Sequence, residues 1–194
     1  MYDFWFNQIT KDSPCEFDLG MSDTDSLLFK VTKPQEFWEK MDPHMDYSNY
    51  EPSHPKFSLE NKAMLGKFKN ELGSEKKCVR FVGLRAKCYS LKLVDKKNSE
   101  SEKCISKGLG RVAIKNRLNF DQYLSSLYTG KVIRHSFASI KSHKHNVFTV
   151  MQRKKALTHF DSKRYLLSCG VHSYSYGHSN IKKYGDTCLI CMKI

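Results

Sequence analysis

Residues 122–160 contain no aspartate or glutamate. That gap excludes a surface of balanced ion pairs over this stretch and favours a polyanionic partner. Long apolar runs are also missing. None approaches the roughly 18 residues of a membrane-spanning helix, so no membrane partner is expected. No basic n-region followed by an apolar h-region opens the sequence, so no secretory signal is evident. There is no internal repeat and no low-complexity segment. Cysteine is present but odd in number, seven in 194 residues. Without a secretory signal, reduced intracellular thiols are expected rather than a disulfide framework. Cys188-Leu-Ile-Cys191 has the spacing of a zinc half-site, but no second pair of like spacing accompanies it, which counts against zinc.

What is present is positive charge, unevenly spread. The formal net charge is +13. Residues 1–60 hold 12 acidic and 5 basic side chains, a balance of −7. Residues 61–102 stand at +6, with 11 basic and 5 acidic, and residues 103–194 at +14, with 17 basic and 3 acidic. Nucleic acid is the expected partner, with binding weakened by salt through counterion release. Forty per cent hydrophobic and twelve per cent aromatic residues permit a core, and the length suits one domain or two small ones.

The most informative stretch is Ser22-Asp-Thr-Asp-Ser26. Phe17, Leu19 and Met21 alternate with polar or small residues before it, and Leu27-Leu-Phe-Lys-Val31 follows it. That pattern predicts strand, turn, strand. Asp23 and Asp25 share strand parity, so they are expected to point the same way. Exposed carboxylates on a rigid hairpin suit a divalent metal such as Mg²⁺, which takes oxygen ligands and bridges to phosphates. A solvated Asp-rich turn is the alternative that the bare Asp-x-Asp leaves open.

Thr32-Lys-Pro-Gln35 predicts a helix start, with Thr32 as cap, Pro34 in the first turn and Gln35 completing a capping box. Phe37 and Met41 follow on one face, and Asp42-Pro43 predicts the stop. Residues 45–56 read as a loop. Runs 78–84 and 88–94 read as strands around Gly83-Leu-Arg-Ala86, and strand parity groups Lys87 with Tyr89. Residues 95–102 are polar and predict a loop. Asn119-Phe-Asp-Gln122 is a second capping-box pattern, followed by Tyr123, Leu124, Leu127 and Tyr128 as a core stripe and Gly130 as the exit. Runs 137–141 and 146–151 predict a hairpin with the basic tip Ser142-His-Lys-His145. Tyr184-Gly-Asp-Thr187 has an Asp-Thr like that of the first turn, but Cys188 stands where a second Asp is needed. Asp186 is expected in a mobile tail without partners.

Taken together, several blocks resemble the protein-primed branch of family B DNA polymerases. Asp23-Thr-Asp-Ser26 between apolar strands is similar to the palm-domain motif C. Lys87-Cys-Tyr89, within Phe81-Val-Gly-Leu-Arg-Ala-Lys-Cys-Tyr-Ser-Leu91, is similar to the Lys-x-Tyr motif. Asn61-Lys-Ala-Met-Leu-Gly-Lys-Phe-Lys69, Lys103 with Lys107-Gly108, His159-Phe-Asp-Ser-Lys-Arg-Tyr165 and Tyr176-Gly-His178 follow in the family's order. The resemblance covers about residues 21–181 and is nearest to enzymes of virus-like mobile elements and animal DNA viruses. Residues 1–20 depart from it. No block here is similar to the palm's motif A, which carries the other main metal-binding aspartate, or to motif B, or to the proofreading exonuclease.

The resemblance implies an α+β fold: an antiparallel palm-domain remnant with the motif C hairpin in residues 1–100, a small basic thumb in 101–181, and a tail in 182–194. It implies DNA-templated nucleotidyl transfer, with Asp25 a direct ligand in a two-metal Mg²⁺ site and Asp23 a weaker ligand or orienting group. Motif A would have to complete that site, so the isolated chain is expected to polymerise negligibly. Lys87 and Tyr89 would hold primer-template DNA near the growing end, and Lys103, Lys107, Arg111 and Lys141 would contact phosphates. Deoxynucleoside triphosphates and a terminal-protein primer are partners implied for the full enzyme. The expected location is intracellular, at the nucleus or a viral replication site. Two other readings stay open: a catalytically inactive DNA-binding remnant, and a structural interaction protein whose charge is incidental.

Overall fold

The computed structural model describes residues 1–11, 13–161 and 163–193. The fold is α+β, with small antiparallel sheets and few helices. The first hairpin pairs β1 (Phe17–Asp23) with β2 (Ser26–Val31). Helix α1 (Pro34–Met41) follows. A three-stranded meander holds β3 (Lys76–Arg85), β4 (Cys88–Asp95) and β5 (Glu100–Ser106). Then come α2 (Arg111–Arg117) and α3 (Phe120–Thr129). A long two-stranded ribbon pairs β6 (Ile133–His143) with β7 (Asn146–Leu157). A short hairpin of β8 (Arg164–Leu166) and β9 (Ser173–Ser175) precedes α4 (Ser179–Tyr184). Among the described residues no helix is long and apolar enough to cross a membrane.

Two clusters of buried side chains hold these elements. The first collects Trp5, Ile9, Cys15, Phe37, Met41, Met45 and Tyr47, with Phe17 and Phe29 against them. It buries the predicted Phe37–Met41 face of α1 under the first hairpin, and Phe17, Phe29 and Phe37 meet edge to face. The second packs α3 on the meander: Val82, Leu84 and Cys88 against Leu118, Phe120 and Tyr123, closed by Ala156 and Leu157 at the foot of β7. Cys88, Phe120, Tyr123, Ala156 and Leu157 are essentially inaccessible. The meander therefore runs straight across residue 100, and β7 joins the same core.

Several local expectations are met in atomic detail. Asn119 and Gln122 form the reciprocal capping box, and Gly130 closes α3 in the left-handed region at φ +71°. Other expectations need correction. Thr32 does not cap α1: its hydroxyl accepts the Glu16 N–H at 2.8 Å, tying β1 to β2, and Lys33 takes the cap position with no side-chain bond. Residues 100–102 are not loop but the start of β5, because Asp95 accepts the N–H groups of Lys97 and Ser99 and turns the chain in four residues. Of that stripe Tyr123 is buried and Leu124 packs partly buried against the same core, whereas Leu127 and Tyr128 are exposed.

The loop after α1 is organised by one buried carboxylate. Asp46 accepts the N–H groups of Ser48 at 2.9 Å and Ala63 at 3.0 Å, and Lys69 approaches it at 3.3 Å. Around it Asn61 donates to the Met45 carbonyl, Lys67 to that of Pro43, and the Phe68 backbone exchanges bonds with residues 44 and 46. The block from Asn61 to Lys69 is thus a clasp closed on Asp46. Burial pushes the Asp46 carboxyl up, but the N–H donors and Lys69 outweigh it and hold it far below the usual carboxylate range. A depressed carboxylate stabilises the fold above its unfolded value near 3.9 and loses that contribution as pH falls towards the folded value. Asp46→Asn should therefore cost about 2–3 kcal/mol in urea unfolding at neutral pH, with the gap to wild type narrowing below about pH 4.

Candidate nucleic-acid and metal-binding surfaces

Asp23 ends β1, and Thr24-Asp25 form the two-residue turn to Ser26. Thr24 has φ +57°, unusual for a β-branched residue. Its hydroxyl donates to Asp23 at 3.2 Å, and the Ser26 hydroxyl donates to the Asp23 carbonyl at 3.1 Å. Asp25 lies in the turn rather than in a strand, so the parity that grouped the two carboxylates ends at Asp23. Asp23 is half-buried, whereas Asp25 is exposed and makes no hydrogen bond or ion pair among the described residues.

Lys87 is also a turn residue rather than a strand residue. It closes the β3–β4 hairpin at φ +56°, with Arg85 paired to Cys88. Its ammonium stands 3.0 Å from Asp23. The Lys87 carbonyl accepts the Lys107 backbone N–H at 2.9 Å, and the Lys107 charge adds a weaker attraction on Asp23. Three separate segments thus converge: the Asp23 turn, the Lys87 turn and the end of β5. The Lys87 ammonium, with help from Thr24, holds the Asp23 carboxyl below its usual range.

One aromatic ring sets the spacing of the two turns. Gly20 is the bulged residue of β1. A side chain there would sit 3.3 Å from the Phe81 ring, and one on Gly83 would sit 2.8 Å from it. Both glycines leave room for Phe81, and Tyr89 lies 6.3 Å from the same ring, centroid to centroid. The Asp23–Lys87 pair is partly exposed and so holds little energy in water, and the ring packing lies alongside it.

The other expected DNA-contacting residues are more dispersed. Lys103 sits on β5, 3.4 Å from Glu71. Arg111 opens α2, three residues past Gly108. Lys141 lies on the β6–β7 ribbon, paired opposite Phe148. That ribbon has a two-residue tip, Lys144-His145, with both φ values positive as a primed turn requires. Its foot is anchored by Ala156 and Leu157 and by the Ser106 hydroxyl, which donates to the Ala156 carbonyl at 2.6 Å. Beyond that foot Arg134, Lys141, Lys144, Arg153, Lys154 and Lys155 sit on it with no acidic residue.

The third grouping was not visible as a motif. Cys188 and Cys191 come together with Cys169 and His172, their ligand atoms all within 4.8 Å. The second pair is Cys169-x-x-His172, which has the same spacing as Cys188-x-x-Cys191; counting cysteines alone misses it. Backbone N–H groups of His172 and Val171 hold the Cys169 thiol down to about 6, while the neighbouring Cys188 pushes Cys191 up to about 11. Nor is the tail without partners: the Asp186 carbonyl accepts the Ser168 N–H at 2.8 Å. Residue 182, where the tail was expected to begin, falls inside α4.

Comparison with family models, with curated proteins and with solved structures finds no match.

For Mg²⁺, the donor set at the first turn fits in part. Asp25 offers an open carboxylate, a hard oxygen ligand suited to that ion. Asp23 already faces an ammonium. In Lys87→Gln the Asp23 carboxyl should titrate closer to the ordinary value of about 3.9 than it does in wild type, as followed by carboxyl carbon NMR. Identical titration in the two proteins would mean that the pair does not form in solution.

Proposed function

We propose that this chain is the primer-template-holding end of a protein-primed family B DNA polymerase, comprising the end of the palm and a basic thumb. The observation that carries this reading is the meeting of the Asp23 turn with the Lys87 turn. Two blocks that resemble motif C and the Lys-x-Tyr motif are more than sixty residues apart in sequence, and they share one ion pair. In such an enzyme Lys87 and Lys107 would neutralise phosphates near the primer terminus, and Tyr89 would support that strand. Asp25, with Asp23 beside it, would take part in holding Mg²⁺, whose role is to activate the primer hydroxyl and stabilise the leaving pyrophosphate. A motif A carboxylate is required to complete the clamp. The acid-free ribbon would track the duplex backbone, giving affinity without sequence readout.

A second reading is favoured by the Asp23–Lys87 pair itself. A carboxylate already neutralised by lysine is a poorer metal ligand, as expected of a DNA-binding remnant that has lost catalysis. The two readings separate at Asp25. Asp25→Asn should weaken Mn²⁺ binding, read by paramagnetic broadening at the turn, only if the metal site survives.

Both readings predict binding to primer-template DNA with little sequence preference. If about five phosphates are neutralised, fluorescence anisotropy should give a log–log salt slope of roughly −4 to −5. Changing Lys141, Lys144, Arg153 and Lys154 together to Ser should flatten that slope and weaken binding at least tenfold. A flat wild-type response, or unchanged binding in the quadruple variant, would rule the basic surface out.

A further inference from the structure

The C-terminal cysteines have a geometry that hydrogen bonding does not explain. Cys169, Cys188 and Cys191 each place Sγ 3.4 Å from the same atom, His172 Nδ1. A ring nitrogen carries either one hydrogen or one lone pair, so it can satisfy one sulfur and not three. All three thiols are free, so no disulfide accounts for the convergence. Four soft or borderline donors around one point are what a tetrahedral metal requires. With Zn–S near 2.3 Å and Zn–N near 2.0–2.1 Å, a tetrahedron has sulfur–nitrogen edges of about 3.5 Å.

The backbone around the donors is built for the same purpose. Both pairs enclose two residues, and in each the later residue's N–H points back to the first sulfur: His172 to Cys169 at 3.3 Å and Cys191 to Cys188 at 3.5 Å. Gly170, at φ +73°, makes the first turn, and the Leu167 N–H donates to the His172 carbonyl to close it. The four donors come from both ends of a loop that includes β9 and α4. Little else holds this segment. From β8 onward only Leu167 and Cys188 are buried among the described residues. A unit with so little apolar burial needs another source of folding free energy, and a structural metal is one.

We propose that Cys169, His172, Cys188 and Cys191 bind one Zn²⁺ in a closed Cys₃His site that fixes the C-terminal segment onto the β8–β9 hairpin. With four protein ligands there is no open position, so the role is structural rather than catalytic. This inference does not depend on the polymerase reading.

The full chain, purified under reducing conditions, should contain one zinc per molecule by elemental analysis. Replacement by Co²⁺ should give the intense visible bands of a tetrahedral ion and a thiolate charge-transfer band in the near ultraviolet. Cys188→Ser and Cys169→Ser should lose the stoichiometric zinc to a chelator, whereas Cys78→Ser should retain it. Because a ligand variant can misfold, wild type supplies a second readout: Lys182 and Lys183 lie exposed on α4, so chelation should unfold that helix and speed trypsin cleavage there, and added Zn²⁺ should restore protection. Absence of metal, the weak spectrum of six-coordinate Co²⁺, equal zinc retention in Cys188→Ser, or trypsin cleavage indifferent to chelation would each overturn the site.

Discussion

The ring of Phe81 is the contact on which the arrangement of this protein depends. It seats against Gly20 on one hairpin and Gly83 on its own strand: a Cβ on Gly83 would collide with the ring at 2.8 Å, and one on Gly20 would crowd it at 3.3 Å. Each of the two cores has its own elements: β1, β2 and α1 around the aromatic cluster, and the meander with α3 and the foot of β7. Phe81 brings β1 against β3, and the two turns follow at the spacing that Asp23 and Lys87 need. The ion pair then reads out the fit rather than causing it, because two partly exposed charges in water hold little energy.

The charge distribution makes sense against this joint. The acidic part of the chain spends its best-placed carboxylate internally: Asp46 closes the loop that carries Lys67 and Lys69. The cations of the β6–β7 ribbon have little such internal use. Lys154 reaches the Gly108 carbonyl at 3.4 Å, and among the described residues no lysine or arginine of the ribbon meets a carboxylate. A two-stranded ribbon is marginal in water unless its base is packed, and here the base is packed on the second core while the distal part is exposed. The proposed zinc site would hold the C-terminal segment by polar ligation, as Asp46 helps to hold the loop after α1, although that loop also has Met45 and Tyr47 in the first core.

Sequence and structure agree best where the information is local. The Asn119–Gln122 box, Gly130 and the first hairpin were legible because each is decided within a few residues; the second hairpin was legible too, but its tip is two residues rather than four, since Ser142 and His143 pair within β6. The failures have a common cause in tertiary competition. Thr32 has a cap's chemistry, but the Glu16 N–H, sixteen residues away, takes its hydroxyl. Strand parity placed Lys87 beside Tyr89, yet a turn intervenes and sends its ammonium to Asp23. In residues 61–69 nothing in the local pattern announces closure on Asp46; that contact exists only when the loop is folded. The metal cluster was hidden because one of its four donors is a histidine and its two halves lie sixteen residues apart. The α+β class was legible, while the assignment to palm and thumb rests on resemblance.

The central claim is that the paired turns, not the ribbon tip, meet the end of the primer. A recessed-end duplex carrying a photoreactive nucleotide at its 3′ terminus tests it directly, with the crosslinked peptide identified by mass spectrometry. The account predicts crosslinks concentrated in the peptides holding Asp23–Ser26 and Lys87–Tyr89, with the ribbon labelled only when the probe is moved into the duplex. Terminal crosslinks confined to the ribbon, or spread evenly over the basic surface, would contradict it.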